Sequence, residues 1–374
     1  MKSRVATIQD VARSAEVSTT TVSRVVNRKG FVSDGARLAV LEAIDDLGYV
    51  PSAAARGLAS RQSGMIGLCL PDTGKPDDLA GRAHDGSGVR VLLDPRPAGE
   101  IGWGGLYFGE VLRGAEYAAW EAGLALTVAT AREPDLEARV LAMAGRVDGL
   151  VVVAQSLPDD LLDHVARRVP LVVLAGPMVT DRYDHVTVDN AAGMTRLVEH
   201  LVVDHGIRDL AYVAGRAGTP DDAERFRGFR EALAGQGIDP PAEPRSRGDF
   251  SRRRARELAA ELLDGPGSLP RALVCCNDET ALGLLDVLVA QGVRVPEDVV
   301  LTGFDGIDAA RTSVPPITTV EQPTAELGRL AVERLTTRIG APRRRPTVTT
   351  SSVTVHLRAS CGMHPSVPSD ENEG

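Results

Sequence analysis

Near the amino terminus, the residues best suited to chemistry are three small hydroxyl side chains and one arginine. Thr19, Thr20 and Ser23 follow Ser18, which is a good helix N-cap, and Arg24 comes next. Small hydroxyls near a helix start can approach DNA base edges or phosphates, and an arginine can bridge O6 and N7 of guanine. The pattern predicts a helix that reads DNA. The alternative is a threonine- and serine-rich surface helix on an unrelated small bundle.

Patterns typical of catalysis and metal binding are not found in the sequence. It has no GxGxxG, GxSxG, HExxH or P-loop motif. His200 and His205 are five positions apart, so they do not share a helical face well. The cysteines show no CxxC spacing and are predicted to be reduced core residues: Cys69, Cys275, Cys276 and Cys361. We therefore predict no enzyme activity, no cofactor and no metal.

Two short helices must position the hydroxyl run. Thr7 and Asp10 have the spacing of a reciprocal cap at the start of a first helix, and Val11 and Ala12 lie on its apolar face. After a turn of three or four residues, a second helix runs over 19–27. This arrangement predicts a helix-turn-helix, whose second helix enters the major groove.

A third helix and a short linker follow. Ser33 is the expected cap of the third helix and Gly48 its stop, and an apolar stripe is predicted to close a three-helix core: Leu38, Leu41, Ile44 and Leu47. Pro51 and the alanines after it predict a hinge helix over 51–61 that is too short to be stable alone. Leu58 on that helix could wedge between base steps in the minor groove.

The rest of the chain alternates short apolar runs with helical patterns, which predicts parallel sheets covered by helices. The predicted strands are Met65–Leu70, Ala125–Ala129, Gly149–Val153, Leu171–Leu174, Leu210–Val213, Ala272–Cys275 and Val299–Thr302. The predicted helices are Gly109–Glu121, Ala191–Asp204, Ala223–Leu233 and Glu279–Ala290. About 300 residues suit two α/β lobes with a ligand between the carboxyl ends of their strands.

Composition agrees with a small basic head on an acidic body. Residues 1–61 hold nine basic and six acidic residues, a net charge of +3, and the remainder carries −12. The asymmetry suits nucleic-acid binding by the head, although +3 is modest. No apolar run of 18 residues and no signal peptide are visible, so we expect a cytoplasmic protein with no membrane contact.

The amino-terminal segment closely resembles the lactose/galactose repressor (LacI/GalR) family. The motifs that carry the resemblance occur in order and at the family's spacing: Thr-Ile-x-Asp-Val-Ala from Thr7, Val-Ser-x-x-Thr-Val-Ser-Arg-Val-x-Asn from Val17, Val-Ser from Val32, Gly-Tyr-x-Pro from Gly48 and Ala-Arg-x-Leu-Ala from Ala55. The resemblance implies a sequence-specific DNA-binding transcription regulator.

The resemblance also implies which residues contact DNA. Thr19, Thr20 and Arg24 would read the major groove. A paired hinge would enter the minor groove through Ala55, Leu58 and Ala59, with Leu58 intercalating. Arg24 and Arg28 would otherwise serve phosphates, and further candidate contacts are Thr7, Ser23, Asn27 and Ser52.

The body resembles the same family more weakly. The segments that carry this resemblance begin at Val186, His200, Arg225, Asn277, Val295 and Gly303. They imply a two-lobed fold similar to a periplasmic sugar-binding protein, crossed by three strands. The first crossing is expected after residues 157–168, and the last near Thr318–Val320.

The resemblance places candidate effector contacts in the cleft between the lobes. By position they are Tyr107, Phe108, Asp189, Arg225, Phe250, Asn277 and Asp305, with Trp103 as an added stacking platform. A carboxylate and a guanidinium can each hold two sugar hydroxyls, and an aromatic face can cover the ring. Each residue also has a structural alternative. Asp189 and Asn277 could cap the helices that follow them, and Phe108 or Phe250 could belong to the core.

The expected domains are a helix-turn-helix domain at 1–50, the hinge at 51–61, a periplasmic-binding-protein-like domain at 62–358 and a disordered tail at 359–374. One departure from the family is a segment of some 30 residues, Asp72 to Ile101, which is either a surface excursion or supplies a strand at Val89–Leu93. The placement of Trp103, Tyr107 and Phe108 depends on this segment. The tail has no leucine heptads, so we expect a homodimer on a palindromic operator rather than a tetramer.

The function expected from all this is repression of sugar-utilisation genes, relieved when a small sugar-like effector closes the cleft. Two alternatives stay open. One is a purine-type regulator in which the ligand acts as a corepressor. The other is a solute-binding protein without a DNA function, which would need a signal peptide.

Overall fold

The computed structural model describes residues 6–26, 30–49, 62–72, 106–131, 135–153, 156–176, 182–264 and 268–362. Contacts divide the chain into two compact units, one formed by Met1–Met65 with Arg146–Asp148 and the other by the remainder. Within the described part, no helix is both long and apolar enough to cross a membrane.

In its described residues, the first unit contains three helices: α1 (Ile8–Ser14), α2 (Thr19–Val26) and α3 (Asp34–Leu47). The predicted cap of α1 is present, because Thr7 accepts from the Asp10 amide while Asp10 accepts from the Thr7 amide. Ser18 and Ser33 cap α2 and α3, and Gly48 ends α3 in the left-handed conformation with φ 57°. The predicted starts and stops of these helices are therefore confirmed.

The apolar stripe predicted for α3 is wrong. Leu38 and Leu41 are 60% and 51% exposed, and Leu47 is also exposed. The face that packs against α1 and α2 carries Val40 and Ala43 instead, with Ile44 partly buried. Spacing alone could not separate the two faces, because α3 carries apolar residues on both.

The described residues of the second unit form two six-stranded sheets, each of which belongs to one lobe. The sheet of the amino-terminal lobe has the order β11-β5-β4-β3-β1-β2. Its strands are β1 (Met65–Pro71), β2 (Ala125–Ala131), β3 (Gly149–Val153), β4 (Leu171–Leu174), β5 (Asp184–Val188) and β11 (Val348–Ser351). β1, β3 and β4 pair in parallel, and their buried apolar runs form the core of this lobe.

The sheet of the carboxyl-terminal lobe has the order β12-β10-β9-β8-β6-β7. Its strands are β6 (Leu210–Ala214), β7 (Ser246–Arg247), β8 (Ala272–Cys275), β9 (Val300–Asp305), β10 (Thr318–Glu321) and β12 (Thr354–His356). β6, β8, β9 and β10 run parallel, so their carboxyl ends lie at one edge of the sheet.

Nine further helices cover the two sheets: α4 (Leu106–Glu121), α5 (Leu136–Ala144), α6 (Asp159–Ala166), α7 (Asn190–Val203), α8 (Pro220–Gly235), α9 (Arg252–Asp264), α10 (Asp278–Ala290), α11 (Asp308–Thr312) and α12 (Thr324–Gly340), counted in the described ranges. α4 and α12 approach very closely in the amino-terminal lobe. A Cβ on Gly114 would lie 1.7 Å from the Ala325 carbonyl oxygen, and one on Gly328 would lie 2.1 Å from that of Val111. Glycine at these positions lets the helices touch.

Three connections join the lobes within the part of the chain that the structure describes. The first runs from β5 into α7, after residues 157–168 as expected, and the second follows β10 and leads into α12. The crossing expected to be last, near Thr318–Val320, is thus the second. The last lies between Ser351 and Thr354, because β11 pairs with β5 and β12 pairs with β10.

The carboxyl terminus corrects a second expectation. A disordered tail was predicted from residue 359, but Ala359–Cys361 form a 3₁₀ turn in which Ser360 and Cys361 are buried. Ser360 accepts from the Thr318 amide and donates to the Leu301 carbonyl. The ordered body therefore continues to residue 362. The predictions for Asp72–Ile101, apart from Asp72 itself, and for residues after 362 lie outside the described residues.

Candidate functional site

A buried arginine is the centre of the candidate site at the carboxyl ends of the strands. Arg225 extends from α8; its Nε donates to Asn190 Oδ1 at 2.8 Å and its Nη1 donates to the Cys276 carbonyl at 2.6 Å. Its Nη2 lies 3.4 Å from Asp305 Oδ1, and the guanidinium is 3.8 Å from the centre of the Phe304 ring. Every edge of the guanidinium is thus held in place.

Asp305 is the counter-charge of this arginine and the last residue of β9. It accepts from Gln322 Nε2 at 2.7 Å, and its backbone has φ 113°, a conformation that side-chain-bearing residues rarely adopt. Burial raises the pKa of Asp305 to about 6, although Arg225, Gln322 and Asn277 act in the opposite direction. The carboxylate therefore loses much of its solvation and retains a strong demand for hydrogen-bond donors.

The network also joins the two lobes. Asp221, in the first turn of α8, accepts from the Gly176 amide of the amino-terminal lobe at 3.0 Å and from Asn190 Nδ2 at 2.8 Å. Asn190 lies on the first connection between the lobes, and Gln322 lies on the second. A ligand that broke these hydrogen bonds, or added to them, would therefore act on the segments that connect the two lobes.

Tyr107 contributes from the amino-terminal lobe. Burial raises the pKa of Tyr107 above its usual range, and the charges of Asp305 and Asp221 raise it further while Arg225 lowers it. Those influences place the phenol close to the polar network. Phe108 makes an edge contact with Tyr107, with ring centres 5.3 Å apart, and both rings pack against the lobe's core.

Phe250 and Gly215 form another part of the same edge. A Cβ on Gly215, directly after β6, would lie 2.2 Å from the Phe250 ring, so the absence of a side chain lets the ring cover the strand end. Phe250 has a positive φ of 58° and is partly buried against the core of the carboxyl-terminal lobe. The Phe250 ring therefore packs in the core, and the part of its surface that is not covered there lies near the strand ends.

Two predicted contacts also act as helix caps. Asp189 is exposed and accepts from the Ala192 amide at 2.9 Å, and Asn277 is buried and accepts from the Thr280 amide at 3.0 Å. Capping is therefore a role of both residues. Only Asn277 also acts on Asp305, through a side-chain hydrogen bond that lowers the pKa of that carboxyl.

Asp278 supports the loop that carries Asp305. One of its oxygens accepts from the amides of Gly306 and Ile307, at 2.8 and 2.9 Å, and the other accepts from Thr319 Oγ1 at 2.6 Å. The residue is completely buried, and this burial raises the pKa of Asp278 to about 8. These contacts give Asp278 a structural role in supporting the loop rather than a role in ligand binding.

Sequence reasoning missed three members of the network: Asn190, Asp221 and Gln322. Asn190 is adjacent to Asp189, which was chosen in its place. Their positions in the chain could have identified them. Each of these residues directly follows a strand or lies in the first turn of a helix, at the edge where Arg225 and Asp305 lie.

The candidate DNA-reading helix presents the expected side chains. Val22 and Val25 of α2 are buried in the core of the first unit, whereas Thr19, Thr20 and Arg24 are exposed and Ser23 is intermediate. Thr7 is exposed, but its hydroxyl donates to Asp10 at 2.6 Å as part of the cap. Of the other candidates, Asn27, Arg28, Ser52, Ala55, Leu58, Ala59 and Trp103 lie outside the described residues.

A helix-turn-helix head on a two-sheet body with a polar site at its strand ends defines a DNA-binding regulator rather than an enzyme. Residues 7–52 match the family described as bacterial regulatory proteins, lacI family. Residues 198–361 match a periplasmic binding protein-like domain.

Similar proteins support the same class along the whole chain. The HTH-type transcriptional repressor PurR of Photobacterium profundum is 33% identical over 89% of this chain and 92% of its own length. PurR of Aliivibrio fischeri is 32% identical over the same shares. The chain belongs to the lacI family, and it is a DNA-binding transcriptional repressor.

Solved structures agree with the fold. The lac repressor dimer bound to operator and the anti-inducer ONPF is 26% identical, with a TM-score of 0.77, covering 96% of this chain and 100% of that one. The complex of the transcriptional regulator CelR with cellobiose is 29% identical, with a TM-score of 0.66, covering 95% and 99%. The predicted two-part fold class is confirmed.

Proposed function

We propose that this repressor binds a palindromic operator as a homodimer and that a small sugar-like ligand, bound around Arg225, releases it. The observation that carries the proposal is the buried Arg225–Asp305 pair, surrounded by amide groups at the strand ends. A guanidinium offers a rigid set of donors and a carboxylate a set of acceptors, which together match neighbouring hydroxyl groups.

The connections between the lobes supply the route from ligand to operator. Asn190 and Gln322 lie on two of them and bond directly to the pair. A ligand that binds one relation of the lobes better than another shifts the population by that difference in affinity. We propose that this shift changes how well the paired heads hold the operator, and that the protein acts in the cytoplasm, where operator DNA lies.

Exposed aromatic residues support the dimer. Tyr117 and Trp120 on α4 are 52% and 70% exposed, with ring centres 6.3 Å apart, and Val128 on edge strand β2 is also exposed. Exposed apolar surface of this kind is typical of contacts between protein chains. Twofold pairing would also present two heads to the two halves of a palindrome.

A purine corepressor is the second candidate, and the observation that favours it is similarity to relatives named PurR. The CelR–cellobiose complex, at 29% identity, favours a sugar. The two candidates differ in the ligand and in the direction of its effect on operator affinity, because an inducer lowers this affinity whereas a corepressor raises it.

Selection of random DNA by the purified protein, with and without each ligand class, tests the proposal. We expect a palindrome to be enriched and one sugar of a panel of pentoses, hexoses and disaccharides to suppress that enrichment. If a purine base were required for enrichment, the purine hypothesis would replace the sugar hypothesis. If no palindrome were enriched under any condition, operator binding by a dimer would be wrong.

A further inference from the structure

Three side chains capable of binding a metal converge at the outer end of the carboxyl-terminal lobe, away from the strand ends that carry Arg225. His200 lies in the last turn of α7, His205 follows that helix, and Cys361 lies in the 3₁₀ turn after β12. Their ligand atoms all lie within 4.8 Å of one another. No local pattern could indicate this cluster, because Cys361 is more than 150 positions from either histidine.

The spacing of these atoms matches the edges of a tetrahedral zinc site. His200 Nε2 lies 3.1 Å from His205 Nε2 and 3.8 Å from Cys361 Sγ. With Zn–N of about 2.0–2.1 Å and Zn–S of about 2.3 Å, a tetrahedral ion separates two nitrogens by about 3.4 Å and a nitrogen from a sulfur by about 3.6 Å. The two edges that include His200 are therefore within a few tenths of an ångström of these values, and the remaining edge, between His205 and Cys361, lies within 4.8 Å and would shorten on binding.

The neighbours of the three residues orient them as ligands. His200 Nδ1 lies 2.6 Å from Asp204 Oδ2, so a proton on Nδ1 would be donated to that carboxylate and would leave Nε2, 3.8 Å from Cys361 Sγ, unprotonated. A carboxylate behind a histidine is the usual outer partner of a metal-binding imidazole. Thr318 Oγ1, 3.1 Å from Cys361 Sγ, can donate to a thiolate.

The cluster also has an approach route and a backbone shaped for it. His200 and Cys361 are buried, whereas His205 is only partly buried and Asp204 is exposed, so one side of the cluster faces solvent. Gly362 has φ 103°, and a Cβ built on it would lie 3.6 Å from the His205 ring. This segment thus takes a turn suited to glycine directly beneath one of the ligands.

We propose that His200, His205 and Cys361 form a zinc site that fastens the carboxyl-terminal segment to the end of α7. Zinc accepts two imidazole nitrogens and one thiolate, and the fourth position would hold water on the solvent side. Binding would release the thiol proton of Cys361 to solvent, and no redox step is involved. The ordinary alternative is a hydrogen-bonded cluster that stabilises the lobe without an ion.

Cobalt substitution in the full-length, tag-free, chelator-treated protein separates these alternatives. Co²⁺ is expected to bind at one ion per chain and to produce a thiolate-to-cobalt charge-transfer absorption in the near ultraviolet with intense visible bands of tetrahedral cobalt. Zn²⁺ should displace it and raise the midpoint of thermal unfolding.

Variants make the assignment specific. Cys361→Ser should abolish the charge-transfer band, whereas Cys69→Ser, a matched change at another buried cysteine, should retain it. His205→Gln should weaken Co²⁺ binding by more than roughly 100-fold, and Asp204→Asn by about 10-fold, as expected for an outer partner. His205 is only partly buried, so its variant keeps the test valid if Cys361→Ser does not fold.

Two results would overturn the zinc site. One is a wild-type protein that shows no thiolate band at saturating Co²⁺. The other is a variant that behaves like the wild type, with a band of equal strength in Cys361→Ser or an unchanged Co²⁺ affinity in His205→Gln. Either result would assign the cluster to hydrogen bonding alone.

Discussion

At the scale of single residues, the proposed site depends on how Arg225 is held. A buried charge is costly unless paired and hydrogen-bonded, and removing one partner of such a pair leaves the other uncompensated. Arg225 avoids that cost through Asp305, Asn190 and the Cys276 carbonyl. These contacts use several faces of one planar group, which a lysine cannot reproduce.

Arg225→Lys should therefore lower affinity for the effector while the head still binds DNA. We expect a loss of about 2 kcal/mol, or roughly 30-fold, for the sugar that binds best in the panel, measured by calorimetry. Arg227→Lys is the matched control, because Arg227 lies on the same helix but pairs with Glu224 and Glu231 at the surface. Equal affinities of the two variants for the effector would show that Arg225 is not part of the binding site.

The carboxyl partner predicts a pH dependence of stability. The pKa of Asp305 is raised by burial from 3.8 to about 6, so the folded state binds this proton more tightly than the unfolded chain. The resulting contribution to stability is fully present below about pH 4 and is lost as the pH rises through about 6. An asparagine at this position cannot titrate and lacks this dependence.

The stability of the wild type relative to Asp305→Asn should therefore fall as the pH rises from about 4 to 7. Urea unfolding of both proteins at matched pH values measures it. A difference that is independent of pH, or that grows in favour of the wild type over this range, would show that the pKa of Asp305 is not raised.

Sequence reasoning identified some members of the site and missed others, namely Asn190, Asp221 and Gln322. Arg225, Asn277 and Asp305, which the family resemblance gave as effector contacts, lie together in the structure. Asn190 and Gln322 were missed because their bonds to Arg225 and Asp305 join positions 35 and 17 residues apart. Such pairings are set by tertiary structure and leave no local pattern.

At the scale of helices and strands, apolar strands were predictable and strands rich in polar residues were not. All seven predicted strands are present, with ends that differ by a few residues. The described residues contain five further strands that were not predicted: β5, β7, β10, β11 and β12. In β10, β11 and β12, the sequences Thr-Thr-Val-Glu, Val-Thr-Thr-Ser and Thr-Val-His carry too little apolar periodicity. Their strand conformation comes from pairing with β9, β5 and β10.

The contact between α4 and α12 gives a prediction for a pair of glycines on one helix. Gly114→Ala should destabilise the protein by about 1–3 kcal/mol, because its Cβ would lie 1.7 Å from a backbone oxygen of α12. Gly109→Ala on the same helix meets nothing within 4 Å and should be neutral or stabilising by up to about 1 kcal/mol. Thermal unfolding of both variants measures the difference, and similar effects would contradict the close approach.

At the scale of the whole molecule, two identical chains must act together for a palindrome to be read. The proposed dimer surface contains Trp120, and a charge in its place would have to be desolvated on association. Trp120→Glu should therefore shift the protein to monomer and weaken operator binding, as measured by sedimentation equilibrium and by DNA titration. Val203→Glu, at an exposed valine on α7, is the control that should stay dimeric.

If Trp120→Glu remained a dimer at micromolar concentration, the surface around Tyr117, Trp120 and Val128 would not be the interface. The proposed operator function would survive that result, because another surface could pair the chains. A wild-type protein that is monomeric at concentrations that saturate DNA would contradict the proposed operator function.

Control of operator binding by a ligand at Arg225 is tested most directly by titrating the selected palindrome with full-length protein at one fixed salt concentration, with and without saturating ligand. We expect tight binding to the palindrome, weak binding to a scrambled duplex, and a loss of affinity with the sugar that Arg225→Lys abolishes. A ligand that binds around Arg225 and leaves operator affinity unchanged would contradict the proposed function.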